Sequence, residues 1–147
     1  MAGTNAVVIK KALVALLTAA PSLASVQVAY QWPGRITERE LIHLGRVRAS
    51  QEYAAFKATG RIPRHETLMV SVHIIVILPG GSVEETDERA TALGLVLEEA
   101  VAADANLTDP AGLLYGGVDS VELEYELTDD GATSLLTYEL KFESRLT

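Results

Sequence analysis

Residues 68–78 read LMVSVHIIVIL, and the breaker Pro79-Gly80-Gly81 follows them. Every even position of this stretch is apolar, whereas the odd positions carry Met, Ser, His, Ile and Ile. Successive side chains of a strand point to opposite faces. The pattern therefore predicts a strand with one wholly buried face and a second face that becomes apolar only towards its end. We expect residues 68–78 to form the central strand of a sheet.

A helix is predicted directly after this strand. Ser82 and Glu85 have capping-box spacing, in which the Ser hydroxyl accepts from the Glu85 amide and the Glu side chain reaches back. Apolar residues then recur at helical spacing to about Ala103, and they predict the core stripe of the helix: Ala90, Leu93, Leu97, Ala100 and Val101.

Further strands are predicted on both sides of this unit. Alternating apolar residues predict strands from Val26 to Trp32, over 121–127 and over 136–142, and residues 41–47 form a weaker candidate. Residues 106–117 are expected to form a loop, and Asp130-Gly131 predicts a hairpin turn. The expected fold class is α+β. We expect a single-domain sandwich over residues 1–147, with two helices packed on an antiparallel sheet of four to five strands.

The N-terminal segment has two interpretations. Residues 6–20 read AVVIKKALVALLTAA, and small residues follow Pro21, an order that mimics a secretory signal. The alternative is a helix capped by Thr4 or Asn5 that ends at Pro21. Its core side would carry Val8, Ala12, Ala15, Leu16 and Ala19. No apolar run approaches the roughly 20 residues that span a bilayer, so no membrane partner is expected.

Charge is divided unevenly along the chain. The formal net charge is −8, which disfavours a protein whose whole surface binds nucleic acid. Residues 1–65 contain nine basic and three acidic residues, whereas residues 66–147 contain three basic and 17 acidic ones. The two halves can cancel side by side within one domain. Alternatively, basic and acidic patches on different faces attract copies head-to-tail, and a closing contact of this kind makes a ring.

A basic arm is expected at about residues 46–65, as a long excursion or a hairpin. Its basic and aromatic residues are Arg46, Arg48, Tyr53, Phe56, Lys57, Arg61 and Arg64. Such residues can grip phosphates and stack on bases. They can equally dock onto the acidic face of a neighbouring subunit or partner, or remain a solvated loop. The net charge favours docking over nucleic-acid binding.

Acidic residues alternate along the two C-terminal strands. Carboxylates about 7 Å apart on one face repel each other, so that face must be solvated. It is either a solvated surface that discourages aggregation or the wall of a water-filled channel that lets DNA pass without being trapped. The channel-facing candidates are Glu122, Glu124, Glu126, Glu139 and Glu143.

Catalytic and metal-binding motifs are absent from the sequence. The chain has no Cys, and its three histidines (His43, His65 and His73) show no helical metal-site spacing. Gly80-Gly81 lacks the Lys and Ser or Thr of a P-loop, and no GxSxG or GxGxxG occurs. We expect no catalytic residues, no metal and no cofactor.

The order of these segments resembles a known family of phage proteins. Leu44 to Glu52 (LGRVRASQE) precedes a basic excursion, Glu66 leads into the central strand, and a helix and a closing hairpin follow. In this order and texture the chain resembles the tail terminator proteins of long-tailed bacteriophages, often described as minor tail or tail-completion proteins. The resemblance covers nearly the whole chain and contains no invariant motif.

The resemblance implies a structural, non-enzymatic virion protein, assembled in the host cytoplasm. Copies would form a ring, usually a hexamer, at the head-proximal end of the tail tube. The ring would end tube polymerisation and join the tube to the head-completion proteins, with DNA as transiting cargo. By position, the arm resembles the region that reaches a neighbour or the tube.

Two other functions stay open. One is a head–tail connector or a tail tube subunit. The other is a small bacterial α+β ligand-binding protein or enzyme, which a pocket lined by Trp32, His73 and Tyr115 would favour.

Overall fold

The computed structural model of the chain describes residues 3–53, 62–107 and 113–146. Its helices are α1 (Ala6–Ala19) and α2 (Val83–Ala103), and a short 3-10 turn (Pro21–Leu23) follows α1. Its strands are β1 (Gln27–Ala29), β2 (Glu40–Tyr53), β3 (Arg64–Pro79), β4 (Leu113–Thr128) and β5 (Gly131–Leu146).

The five strands form one sheet in the order β1-β2-β3-β5-β4. This arrangement confirms the predicted α+β class and the central position of β3. One contact differs from the expected antiparallel sheet, because β1 runs parallel to β2. Residues 30–39 join these two strands and return the chain to the end of the sheet where β1 begins, so that both strands run in the same direction.

Both helices pack on the same face of the sheet, which we call the helix face. Even-numbered residues of β3 and β5 point into this core, and Leu68, Ile74 and Phe142 are fully buried there. Helix α2 packs on β3, β5 and β4, whereas α1 packs on β1 and β2. Odd-numbered residues of β3 and β5 point to the other side, which carries no helix in the described part of the chain. We call this side the open face.

Helix α2 matches its sequence prediction closely. Ser82 Oγ accepts from the Glu85 amide at 3.2 Å, and the Ser82 hydroxyl donates to the Glu85 carboxylate instead of the Glu reaching back to the backbone. Most of the predicted stripe is buried, while Ala100 is half-buried. Gly94 is also buried, because the helix lies directly over Tyr138 and Leu136 there.

Helix α1 confirms the helical interpretation of the N-terminal segment but buries a different side. Its core residues are Ile9, Leu13 and Leu17, whereas the predicted stripe leaves Val8 41% exposed and also leaves Ala15 and Ala19 exposed. The prediction was wrong because the segment is apolar on nearly every side, so its periodicity is weak. The side chain of Asn5 makes no capping hydrogen bond to the helix.

Several strand boundaries also differ from the prediction. Strand β1 ends at Ala29, where the chain turns away from the sheet. The next residue, Tyr30, contacts α1 instead, since the Lys10 ammonium lies 4.0 Å from the centre of its ring. Strand β2 continues past Val47 to Tyr53, and β4 begins at Leu113 inside the expected loop. These added segments are exposed on much of their surface, so they lack the apolar alternation by which strands are recognised.

In its described parts, the arm is a pair of antiparallel strands. Its described parts are the outer half of β2 and the first residues of β3, which pair from Val47↔Val70 to Tyr53↔Arg64. A bulge in β2 lies between Leu44 and Val47. A Cβ on Gly45 would lie 2.7 Å from His73 Nε2. Glycine therefore suits this position, where the backbone of β2 comes close to the His73 side chain on the open face.

Candidate functional site

Within the described residues, the sheet has two edges without a strand partner. Strand β4 pairs with β5 on one side and with no described strand on the other. Strand β1 covers β2 only at residues 41–43, so β2 is free from Leu44 to Tyr53. Unpaired backbone N–H and C=O groups line both edges, and such edges readily pair with another chain.

The free edge of β4 is acidic on the open face. Glu122, Glu124 and Glu126 lie opposite Thr137, Leu135 and Thr133 of β5, so all three share the open face. They are exposed and make no hydrogen bond or ion pair with any residue that the structure describes. The row is therefore a continuous, uncompensated negative stripe.

The other two acidic candidates also lie on the open face, but their carboxylates accept hydrogen bonds from neighbouring side chains. Glu139 accepts a hydrogen bond from Ser71 at 2.7 Å. Glu143 is nearly buried and accepts from Thr67 at 2.8 Å and from His65. Burial alone would raise the pKa of Glu143, but these hydrogen bonds and the nearby charges of His65 and Lys141 lower it. The Glu143 carboxylate therefore binds its neighbours in the sheet and presents little charge to the solvent.

The free edge of β2 is basic on the open face. Arg46 and Arg48 line a shallow cleft of about 180 Å³ together with Met69, Ser71 and Glu139. The open face thus changes from positive at the β2 edge to negative at the β4 edge.

The remaining arm residues do not join these two arginines. Tyr53 and Arg64 pair with each other on the helix face, where Arg64 donates to Gln51 Oε1 at 2.6 Å. Tyr53 is 76% exposed. Phe56, Lys57 and Arg61 lie outside the described residues. The described residues of the predicted arm set are therefore divided between the two faces of the paired strands.

An apolar stripe on β4 was not predicted as a surface feature. It lies on the helix face and consists of Val121 (49% exposed), Leu123 (43%), Tyr125 (63%) and Leu127 (64%). Their partners on β5 are buried, whereas these four side chains stay largely exposed although α2 also packs on β4. The alternation of residues 121–127 indicates an apolar face, but it cannot show that no helix covers it.

A buried glutamate ties the arm to α1, and sequence reasoning missed its role. Glu66 is fully buried, and its two carboxylate oxygens accept from the Asn5 backbone N–H and from Gln51 Nε2, both at 2.8 Å. A carboxylate at a helix N-terminus also interacts favourably with the helix dipole. The signal available in the sequence was a charged residue in the even, core-facing phase of β3.

The pocket expected for a ligand-binding protein is not present among the described residues. Trp32 contacts His43 at a ring-centre distance of 5.4 Å, and His43 contacts His73 at 4.9 Å. Tyr115 instead pairs with Glu143, far along β5 from Thr137, the partner of His73. Burial lowers the pKa of both His43 and His73, so these two imidazoles are neutral at pH 7.

A wider cleft lies elsewhere, between the segment before β2 and the start of α2. It has a volume of about 660 Å³, and Arg89 and Glu40 form an ion pair in its wall. No cluster of three or more metal-ligating side chains occurs in residues 3–53, 62–107 and 113–146. In the same ranges, neither helix is long and apolar enough to cross a bilayer.

Comparisons with known proteins were made for sequence and for structure. No protein-family model matches the chain, and no curated protein matches it. Among solved structures, the fold is similar to a chain of the "Virion of native gene transfer agent (GTA) particle". The two align with a TM-score of 0.45 and 17% identity, over 94% of this chain and 93% of that chain.

Proposed function

We propose that this chain is a structural protein whose copies assemble side by side into a closed ring. The observation that carries the proposal is the pair of free sheet edges, one basic on the open face and the other acidic. A contact between two different patches of the same protein is heterologous, and it closes into a ring when the rotation permits. Opposite charges at the two patches favour this contact over contacts between like edges.

The open face would line the hole of such a ring. The two helices occupy one side of the sheet, so a sheet that curves around an axis has more room for them on the outside. Glu122, Glu124 and Glu126 would then face the channel. A negative wall repels the phosphates of DNA, which allows passage without capture.

Within this class, we propose the tail terminator of a long-tailed bacteriophage as the specific role. The ring, a hexamer by the family resemblance, would end the tail tube at the head-proximal end and contact the tube protein and the head-completion proteins in the virion. The segment order of the sequence supports this role. No catalytic step is assigned to any residue.

Electron microscopy of the purified full chain tests the proposal. At physiological salt we expect particles of one ring, possessing a central hole. Long cylinders would instead indicate a tail tube subunit. Monomers at high protein concentration, alone and with added tail tube protein, would contradict an assembly role.

DNA binding provides an independent test of the channel. The net charge is −8 and the glutamate row is uncompensated, so we expect no measurable binding of duplex DNA at physiological salt. Fluorescence anisotropy with a labelled duplex measures this. Tight binding that weakens steeply with salt would show that the arginines grip phosphates and would contradict a passive channel.

The cleft at Arg89 favours a second candidate function, a small ligand-binding protein. Its volume falls within the range of small-molecule sites, and the Arg89–Glu40 ion pair supplies charged groups in its wall. A screen of metabolites by thermal shift tests this candidate. Stabilisation of the native chain that Arg89→Gln abolishes would support it.

A further inference from the structure

We infer that the subunits of the ring are joined by strand pairing, with β4 of one copy adding to the free edge of β2 in the next copy. The inference rests on the proposed ring and names the contact that builds it. The occupant of each edge is thus a second copy of this chain. Each joint would extend the sheet, so that β1 to β4 of one copy continue into β2 of the next around the whole ring.

The two edges are complementary on both faces of the sheet, in charge on the open face and in apolar surface on the helix face. On the open face, Glu122 and Glu124 of one copy would lie beside Arg46 and Arg48 of the next. Cross-strand neighbours approach to about 5 Å between Cβ atoms, and opposite charges at that distance stabilise the pairing. Neither the glutamates nor the two arginines form an ion pair among the described residues, so both groups are free for this contact.

On the helix face, the exposed apolar stripe of β4 would meet apolar surface of the neighbour. Val47 and the exposed Tyr53 lie on that face of β2. Helix α1 packs on β1 and β2, and it leaves Val7 52% and Val8 41% exposed. The neighbour's α1 would therefore cover the part of β4 that its own α2 leaves uncovered.

The direction of the joint follows from topology. Strands β2, β3, β5 and β4 are neighbours in this order, and each runs antiparallel to the one before it. Strand β4 therefore runs opposite to β2. Rotation about a ring axis preserves the direction of a strand along that axis, so β4 also runs opposite to β2 of the next copy. Every joint is consequently antiparallel, and the sheet closes without a change of pairing type.

Engineered disulfides test this joint without interference from native thiols, because the chain has no Cys. Ser50 on β2 and Ser120 on β4 both lie on the open face, opposite Thr67 and Glu139. Antiparallel registers that set Arg46 and Arg48 against two glutamates place Ser50 opposite Ser120 or Glu122. The test variants are Ser50→Cys/Ser120→Cys and Ser50→Cys/Glu122→Cys, each oxidised as the assembled full chain.

We expect one of these variants to give a ladder of cross-linked subunits on a non-reducing gel, ending at the size of the ring. The variant Ser50→Cys/Glu126→Cys reports the parallel arrangement and should give no ladder. Each single variant should give dimers at most. A ladder only from Ser50→Cys/Glu126→Cys would overturn the antiparallel joint.

The failure of the joint and the failure of the ring are distinguishable. If electron microscopy shows rings but no double variant cross-links, the subunits meet through other surfaces and only the strand-pairing inference is wrong. If neither rings nor ladders form, the proposed function is wrong as well.

Discussion

At the residue scale, Glu66 is the side chain on which the arm and the N-terminal helix depend. Its buried carboxylate accepts from the start of α1 and from Gln51 of β2, so it links three elements. Glu66→Ala would leave both donors without this acceptor. Hydrogen bonds to a charged group contribute about 1.5–3 kcal/mol each. Because Glu66→Ala also removes the cost of burying a charge, we expect a net loss of about 2–3 kcal/mol in the free energy of unfolding.

Urea denaturation measures this loss, and Glu52→Ala is the matched control. Glu52 lies on the same hairpin but is exposed, so its substitution should change the free energy of unfolding by less than about 0.5 kcal/mol. Equal effects of the two substitutions would show that Glu66 is not an anchor.

The stacked pair His43 and His73 predicts a pH dependence. Burial is the main cause that lowers the pKa of each, and the charge of His43 lowers the pKa of His73 further. An unfolded histidine titrates at about 6.5, so the unfolded state takes up protons first as the pH falls. The stability that the neutral pair contributes is complete above about pH 6.5 and decreases as the pH falls below that value.

Urea denaturation at pH 7.5 and at pH 5.5 checks this dependence. The double variant His43→Gln/His73→Gln should lose most of the stability difference between the two pH values. The further loss at lower pH should persist, because the lowered pKa of Glu143 makes its contribution disappear only as the pH falls through that pKa. An unchanged difference in the double variant would contradict the role of the histidine pair.

At the element scale, β4 carries the acidic row on one face and the apolar stripe on the other. Exposed apolar residues contribute little to the stability of the subunit, but in the proposed joint they become buried. We therefore expect Tyr125→Ser/Leu127→Ser to change the free energy of unfolding of the monomer by less than about 1 kcal/mol and to abolish ring formation.

The control for this variant is Leu95→Ser on the outer side of α2. Leu95 is 53% exposed, which is similar to the stripe, but it lies on a helix and not on either free strand. Size-exclusion chromatography with light scattering should show normal assembly of the control. Normal assembly of the β4 variant would exclude the stripe from the joint.

Elements also show how far the sequence alone could lead. The limits of α2 were predictable because the Ser82–Glu85 cap fixes its start and the amphipathic stripe its extent. The turn before β5 was predictable because Asp130-Gly131 is a hairpin signal. The structure explains the glycine, since a Cβ at position 131 would lie 2.4 Å from the Leu78 carbonyl oxygen. The buried side of α1 was not predictable, since its sequence is apolar on nearly every side.

Strand order was the decisive information that the sequence lacks. The acidic residues of β4 and the basic residues of β2 are evident in the sequence, and their shared open face follows from period-two alternation. That both strands lie at edges follows only from the pairing of β3 with β5 and from the shortness of β1. The candidate interface is therefore a property of the sheet and not of any one segment.

At the scale of the whole molecule, the subunit carries opposite charges at its two ends. One end of the sheet is positive, the other is negative, and the helices thicken only one face. In the proposed ring, such a subunit would attract its own copies end to end. The charge asymmetry of the sequence halves becomes an asymmetry in space because the basic half supplies β2 and the acidic half supplies β4.

Charge reversal at the two edges tests this account most directly. Arg46→Glu/Arg48→Glu makes both edges acidic, and Glu122→Arg/Glu124→Arg makes the β4 edge basic like the β2 edge. Native mass spectrometry at physiological salt should show each variant alone as a monomer, because every joint would place like charges together. An equimolar mixture should form a closed oligomer that contains equal numbers of both variants. Assembly of each variant alone, or a mixture that stays monomeric, would contradict the account.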